Sequence, residues 1–278
     1  MTNNLYPPPR PQTVGEILDM AFRIFRATVL KCLLFATLSL LAGQLANIYS
    51  LLRGRPLESL FVAHDALWWL LALAGSLIAL TLTSAIVRRQ YAIASGSRAS
   101  TLNGELTAAL RLVAGLFAVS LLIGLATAAC LAPALLFFRT PVTMSVAIFF
   151  LLIPASYIVI RFSCAVTAYL LTGRGVLESM RHSWYLTAGN FWRLSLIYTV
   201  GLVLMLVFYL LAGVVAAAIA VPFALGDVAL ITALSAAVAV ILGSIIRPFY
   251  TALALAVFGD LSVRKEGTDL AERISSPA

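Results

Sequence analysis

Residues 191–225 read FWRLSLIYTVGLVLMLVFYLLAGVVAAAIAVPFAL, and after Arg193 this run contains no charged side chain. A helix of about 20 apolar residues crosses the ~30 Å hydrocarbon core of a bilayer, so the stretch alone is long enough to span a membrane. The same pattern recurs on both sides of it. Further spans are expected at about 29–51, 66–87, 113–138, 142–172 and 228–258, with Trp68 and Trp69 placed where aromatic rings favour the membrane interface. The Arg139-Thr140-Pro141 turn joins the third and fourth spans, and Gly226-Asp227 joins the fifth and sixth. The reading is an all-α polytopic membrane protein with six transmembrane helices in three hairpins.

Composition leads to the same class. The 278 residues are 62% hydrophobic and 11% charged, with a mean hydropathy of +1.02, against roughly 25% charged in an average soluble domain. A water-soluble fold of this size cannot cover so much apolar surface. The spans use most of the chain and leave no room for a separate catalytic domain such as a barrel, which takes about 250 residues. Cys32, Cys130 and Cys164 all lie in apolar stretches and none forms a C-x-x-C pair, so they read as small buried side chains. His64 and His182 fall in different loops and cannot by themselves hold a metal. No cofactor is expected.

The net charge of +8 and the pI of about 9.8 do not point to nucleic acid, because the basic residues are scattered among apolar segments. Their distribution sets an orientation instead. Most of the 19 lie in the N-terminal region (Arg10, Arg23, Arg26, Lys31), the second connection (Arg88, Arg89, Arg98, Arg111), the fourth (Arg174, Arg181, Arg193) and the tail (Arg264, Lys265, Arg273). The first and third connections hold only Arg53, Arg55 and Arg139. Positive loops stay inside, so both termini are expected in the cytoplasm and the chain in the inner membrane. The first apolar run begins near Thr28, too late for a cleaved leader, and is expected to remain as an anchor.

Pro7, Pro8, Pro9 and Pro11 suggest a flexible tail over 1–12, since proline lacks the amide donor. A single membrane domain is then expected over 13–262, followed by a charged cytoplasmic tail over 263–278. From Thr13 to Arg26 the apolar residues Val14, Ile17, Leu18, Ala21, Phe22 and Phe25 share one side, as in an interfacial amphipathic helix. An internal repeat extends this. A shift of 88 superimposes Thr13 on Thr101, Leu18 on Leu106 and Arg23 on Arg111, and a shift of 162 superimposes Phe22 on Trp184 and Lys31 on Arg193. Each hairpin is therefore expected to be preceded by an amphipathic helix at the cytoplasmic face.

Three arginines stand out at the ends of the even-numbered spans. Arg161 precedes Gly173, Arg247 precedes Gly259 and Arg89 precedes Thr101 by the same interval, in similar flanks. An ionised group within a span is costly unless it pairs, faces water or snorkels. Acids are few and are expected only in the loops, so Arg161, Arg247 and Arg89 are the candidate contacts for an anionic lipid phosphate, which a guanidinium binds as a bidentate fork. They are expected to converge at one depth. Asp260, Arg264, Lys265 and Glu266 form a mixed-charge run that can continue the last span as a helix, with Asp260 and Arg264 paired at i and i+4.

The run RPFYTALALAVFGDLSVRKEGTDL (247–270) resembles the end of the membrane-domain family named after glycerophosphoryl diester phosphodiesterase, which closes on Asp-Leu-Arg and Arg-Lys-Glu before an Asp-Leu. Asp260, Arg264, Lys265, Glu266 and Asp269 carry the likeness, together with RFSCA from Arg161 and GVLESMRHSWYLTAGNFWRL from Gly175. Ser262 departs from the pattern, standing where arginine is usual. The resemblance implies a membrane domain that in the family is joined to a soluble phosphodiesterase or stands alone, and here implies the stand-alone form. Diester hydrolysis would call for clustered histidine and carboxylates around a metal, and the sequence offers no such cluster.

The expected function is a non-enzymatic membrane module that binds anionic phospholipid or a protein partner at its cytoplasmic face. Membrane lipids are the expected partners, with a protein partner or homo-oligomer open and nucleic acid excluded. Two alternatives stand: a transporter or lipid translocator with its pathway among spans 2, 4 and 6, whose Pro133, Pro154, Pro222 and Pro248 could mark broken helices, and a membrane domain assisting a separate phosphodiesterase.

Overall fold

A computed structural model describes residues 5–53, 65–97, 102–137, 141–224 and 228–267. The described helices run in the order α1 (Val14–Gly43), α2 (Leu45–Leu52), α3 (Ala66–Ala94), α4 (Leu102–Phe137), α5 (Pro141–Arg161), α6 (Ala165–Thr172), α7 (Val176–Thr187), α8 (Phe191–Ala224) and α9 (Val228–Glu266). Six segments are long and apolar enough to cross a membrane: Val14–Gly43, Ala66–Ala94, Gly104–Pro133, Ser145–Thr172, Phe191–Ala218 and Ala237–Glu266. This is the expected all-α polytopic membrane protein.

Helix α1 starts on a capping box. The Thr13 amide donates to Glu16 Oε2 at 2.7 Å and the Glu16 amide donates to Thr13 Oγ1 at 3.4 Å, so two of the unpaired donors at the helix start are satisfied. From there Ile17, Met20, Ala21, Ile24, Thr28, Cys32, Phe35, Ala36, Ser39 and Ala42 form one buried stripe at helical spacing. That stripe packs on α3 and α9, and these three are the most covered of the spans. Gly75 permits a close approach of α3 to α1, since a Cβ there would overlap the Ala42 carbonyl oxygen. By contrast, Phe149, Phe150, Leu202, Leu206, Leu210 and Val214 on α5 and α8 are exposed. In a membrane these side chains face lipid, which removes the penalty that water would impose.

The structure corrects several sequence expectations. The first two of the expected amphipathic helices are not separate elements but the opening turns of α1 and α4. Nothing near Arg26 or Arg111 breaks the hydrogen-bond ladder there, so the spanning helix continues through them. Only α7 is a separate helix. Gly173 and Gly189, at φ +68° and +79°, take the left-handed backbone that lets the chain turn before and after it.

The fourth span, expected unbroken over 142–172, is interrupted at 162–164 between α5 and α6. The Arg161 carbonyl instead accepts from Ser183 Oγ at 2.9 Å and Thr187 Oγ1 at 3.1 Å, and the Cys164 amide donates to Ser183 Oγ at 3.2 Å. Hydroxyls of α7 thus take over backbone groups that the helix no longer pairs, which makes the break tolerable at membrane depth.

The tail expected to be flexible over 1–12 is docked from Leu5 to Gln12. The Leu5 and Tyr6 amides both donate to the Ala94 carbonyl, at 2.8 and 3.0 Å. The Tyr6 ring is buried edge-on against Tyr91, with centroids 5.3 Å apart. Gly259 makes the room, because a Cβ there would lie 2.6 Å from the Tyr6 ring. At the other terminus helix α9 runs through the expected boundary at 262 as far as Glu266.

Candidate functional site

The polar chemistry gathers at the end of the bundle where residues 5–12 meet the last turns of α9. At its centre Asp260, fully buried on α9, accepts from the Gln12 amide at 2.6 Å and faces Arg193 Nη1 at 2.8 Å and Arg264 Nε at 3.0 Å. The same two arginines donate from Nη2 to the Gln12 carbonyl, at 2.6 and 2.5 Å. The N-terminal strap, the start of α8 and the end of α9 are therefore tied at one carboxylate. The i, i+4 pair read from the sequence is present, while Gln12 and Arg193 complete it from elements far away in the chain.

The rest of the mixed-charge run meets α7 and the turn before it. The Lys265 ammonium lies 5.8 Å from the Tyr185 ring centroid. Glu266 sits 3.6 Å from His182 Nε2 and 3.9 Å from Arg174. Burial, and then the Arg174 charge, hold the His182 imidazole below its ordinary range, while Glu266 and Glu178 oppose that shift. Burial likewise pushes the Tyr6 phenol upward.

The structure places Arg161, Arg247 and Arg89 in three separate settings. The Arg161 side chain is almost fully covered, with its guanidinium carbon 4.0 Å from the Trp184 ring centroid and 5.9 Å from that of Tyr157. Such stacking stabilises a cation without an acid. Arg247 Nη2 donates to Thr83 Oγ1 on α3 at 2.8 Å. Among the described residues neither of these two has a carboxylate partner. Arg89 does have one: its Nη1 lies 3.1 Å from Glu105 Oε2, and both side chains are largely covered. None of the three shares a described partner with another.

The expectation that acids are confined to the loops is corrected by Asp260 and Glu105, each buried inside a helix. Opposite charges from other helices, invisible in the local sequence, compensate both. Gln90, wholly buried on α3, adds a neutral tie by donating to the Pro248 carbonyl at 2.8 Å and to Thr28 Oγ1 at 3.3 Å. It links the three central helices at a position that reads as unremarkable in the sequence.

A further basic feature was missed in the sequence reading. Arg88 on α3 and Gly104, Thr107, Ala108, Arg111 and Leu112 on α4 line an open groove of about 470 Å³. The α4 residues recur at intervals of three and four, and so share one face. Arg88 donates to the Leu170 carbonyl at 3.3 Å, and neither Arg88 nor Arg111 has an ion pair among the described residues. The signal in the sequence was the match of Arg111 to Arg23 in the repeat; what it lacked was the adjacency of α3 and α4. Among the described residues no group of three or more His, Cys, Asp or Glu side chains converges as a metal set would.

Compared with known proteins, the chain matches no family model, no curated protein and no solved structure.

Proposed function

We propose that the protein is a non-catalytic membrane module that binds the headgroups of anionic phospholipids at the basic end of its bundle, on the cytoplasmic side. The observation that supports this reading is the open groove holding Arg88 and Arg111, neither of which has a carboxylate partner among the described residues. Two guanidinium groups offer paired donors to phosphate oxygens. Arg89 is a weaker contact, because Glu105 already occupies it. Arg161 and Arg247 remain secondary candidates, since each lacks an acid among the described residues but is engaged by Trp184 or Thr83.

Lipid retention on the purified protein, read by native mass spectrometry, tests the reading. The wild type should retain phosphatidylglycerol over phosphatidylcholine, and Arg88→Gln with Arg111→Gln should abolish that preference while the thermal midpoint holds. Equal retention of the two lipids by the wild type would refute it.

The interruption between α5 and α6 favours a second reading, a transporter or lipid translocator, because discontinuous helices supply the sites of many transporters. Transbilayer movement of a labelled lipid in proteoliposomes, above the rate in empty vesicles, would support that reading over the first. The resemblance of 247–270 to the phosphodiesterase-associated membrane domains supports a role beside a separate phosphodiesterase, which co-purification from the native membrane would test.

A further inference from the structure

A lateral pocket of about 210 Å³ opens between α5, α8 and α9, apart from the basic groove. Val159, Leu202 and Tyr250 at its rim are exposed on the side of the bundle, where a membrane supplies hydrocarbon. Met205 adds a further apolar wall. Three hydroxyl-bearing side chains interrupt this surface, Ser163, Tyr198 and Tyr250. Ser163 belongs to the interruption of the fourth span, and its hydroxyl faces the Cys164 sulfur at 3.9 Å. The hydroxyl of Tyr198 is buried and has no hydrogen-bond partner among the described residues, with the Ser163 and Tyr250 side chains lining the same pocket.

A buried phenol without an acceptor is costly, so the site is short of one acceptor. The position restricts what can supply it. Tyr198 lies about 10 Å along α8 from Phe191, at ~1.5 Å per residue, which is beyond the charged end where Arg193 holds Asp260. An acceptor at that level, attached to something that fits apolar walls, is the ester carbonyl of a glycerolipid. A free fatty acid fits less well, since among the described residues no cation lines the pocket to meet its carboxylate. The volume also exceeds the ~30 Å³ share of a single water.

We propose that this pocket holds one acyl chain of a membrane glycerolipid, with Tyr198 Oη donating to the ester carbonyl of that chain. The site is indifferent to headgroup charge and does not rest on the anionic groove.

The test compares retention of diester and diether phosphatidylcholine by the intact protein in native mass spectra. The two probes share a zwitterionic headgroup, so the Arg88 and Arg111 groove cannot create a preference between them. Wild type should retain the diester form about threefold to tenfold better, the range of one net hydrogen bond. Tyr198→Phe should remove that preference and leave the thermal midpoint in place. Met205→Trp, which fills the pocket, should reduce retention of both lipids. Equal retention of the two forms by wild type, a preference that survives Tyr198→Phe, or undiminished retention in a folded Met205→Trp protein would each overturn the proposal.

Discussion

Ser183 Oγ donates to the Arg161 carbonyl at 2.9 Å and accepts from the Cys164 amide at 3.2 Å, so one hydroxyl serves both sides of the gap between α5 and α6. Replacing Ser183 with Ala leaves a buried carbonyl and a buried amide short of partners. Unmet backbone groups cost about 1–3 kcal/mol each, and Thr187 still reaches the carbonyl, so a loss of ~2 kcal/mol is expected. Thermal unfolding in detergent measures it, and the double replacement of Ser183 and Thr187 should cost more than the single one.

Asp260→Asn removes the only charge that faces Arg193 and Arg264 among the described residues. Breaking a buried pair by deleting one partner costs about 3–5 kcal/mol, but both arginines are partly exposed, and solvent reduces the effect to ~2 kcal/mol. The strap should loosen as well. Limited proteolysis near Gln12 should become faster in the variant, and removing residues 1–12 from the wild type should lower its thermal midpoint. Truncation after Phe258 removes Asp260 altogether and should reduce the yield of folded protein.

His182 predicts a pH dependence with a definite sign. Its folded imidazole resists protonation, so on acidification the unfolded chain takes up a proton before the folded site does. Stability should therefore fall as the pH drops through about 6.5, the ordinary imidazole value, and level off below the lowered folded value. Glu266 and Glu178 moderate the effect and Arg174 strengthens it. Thermal midpoints measured from pH 7.5 to 5.5 should show a shallower slope in His182→Gln than in the wild type. An unchanged slope would assign the dependence to another group.

The bias of basic residues predicts the orientation. In a background without Cys32, Cys130 and Cys164, a cysteine at position 98 should react with a membrane-impermeant reagent only from the cytoplasmic side, and one at position 55 only from the outside. Both positions lie outside the described residues. Labelling of position 55 from the cytoplasm would reverse the orientation on which the proposed lipid leaflet depends.

The number of spans was legible in the sequence, because an uncharged run such as 194–225 must be shielded from water whatever its neighbours are. Pairing of Asp260 with Arg264 was legible for a similar reason, since four residues along a helix bring two side chains onto one face. The interruption at 162–164 was not. It exists because Ser183 and Thr187 come from another helix to take the Arg161 carbonyl, and nothing in the RFSCA run announces them. Burial of Glu105 depended on Arg89 in the same way, and the docking of Tyr6 depended on the missing side chain of Gly259. Period, length and charge are local properties that the sequence by itself determined. Partners brought together from distant parts of the chain were decided only by how the helices pack, because desolvation of a polar group is compensated by whatever lies next to it in space.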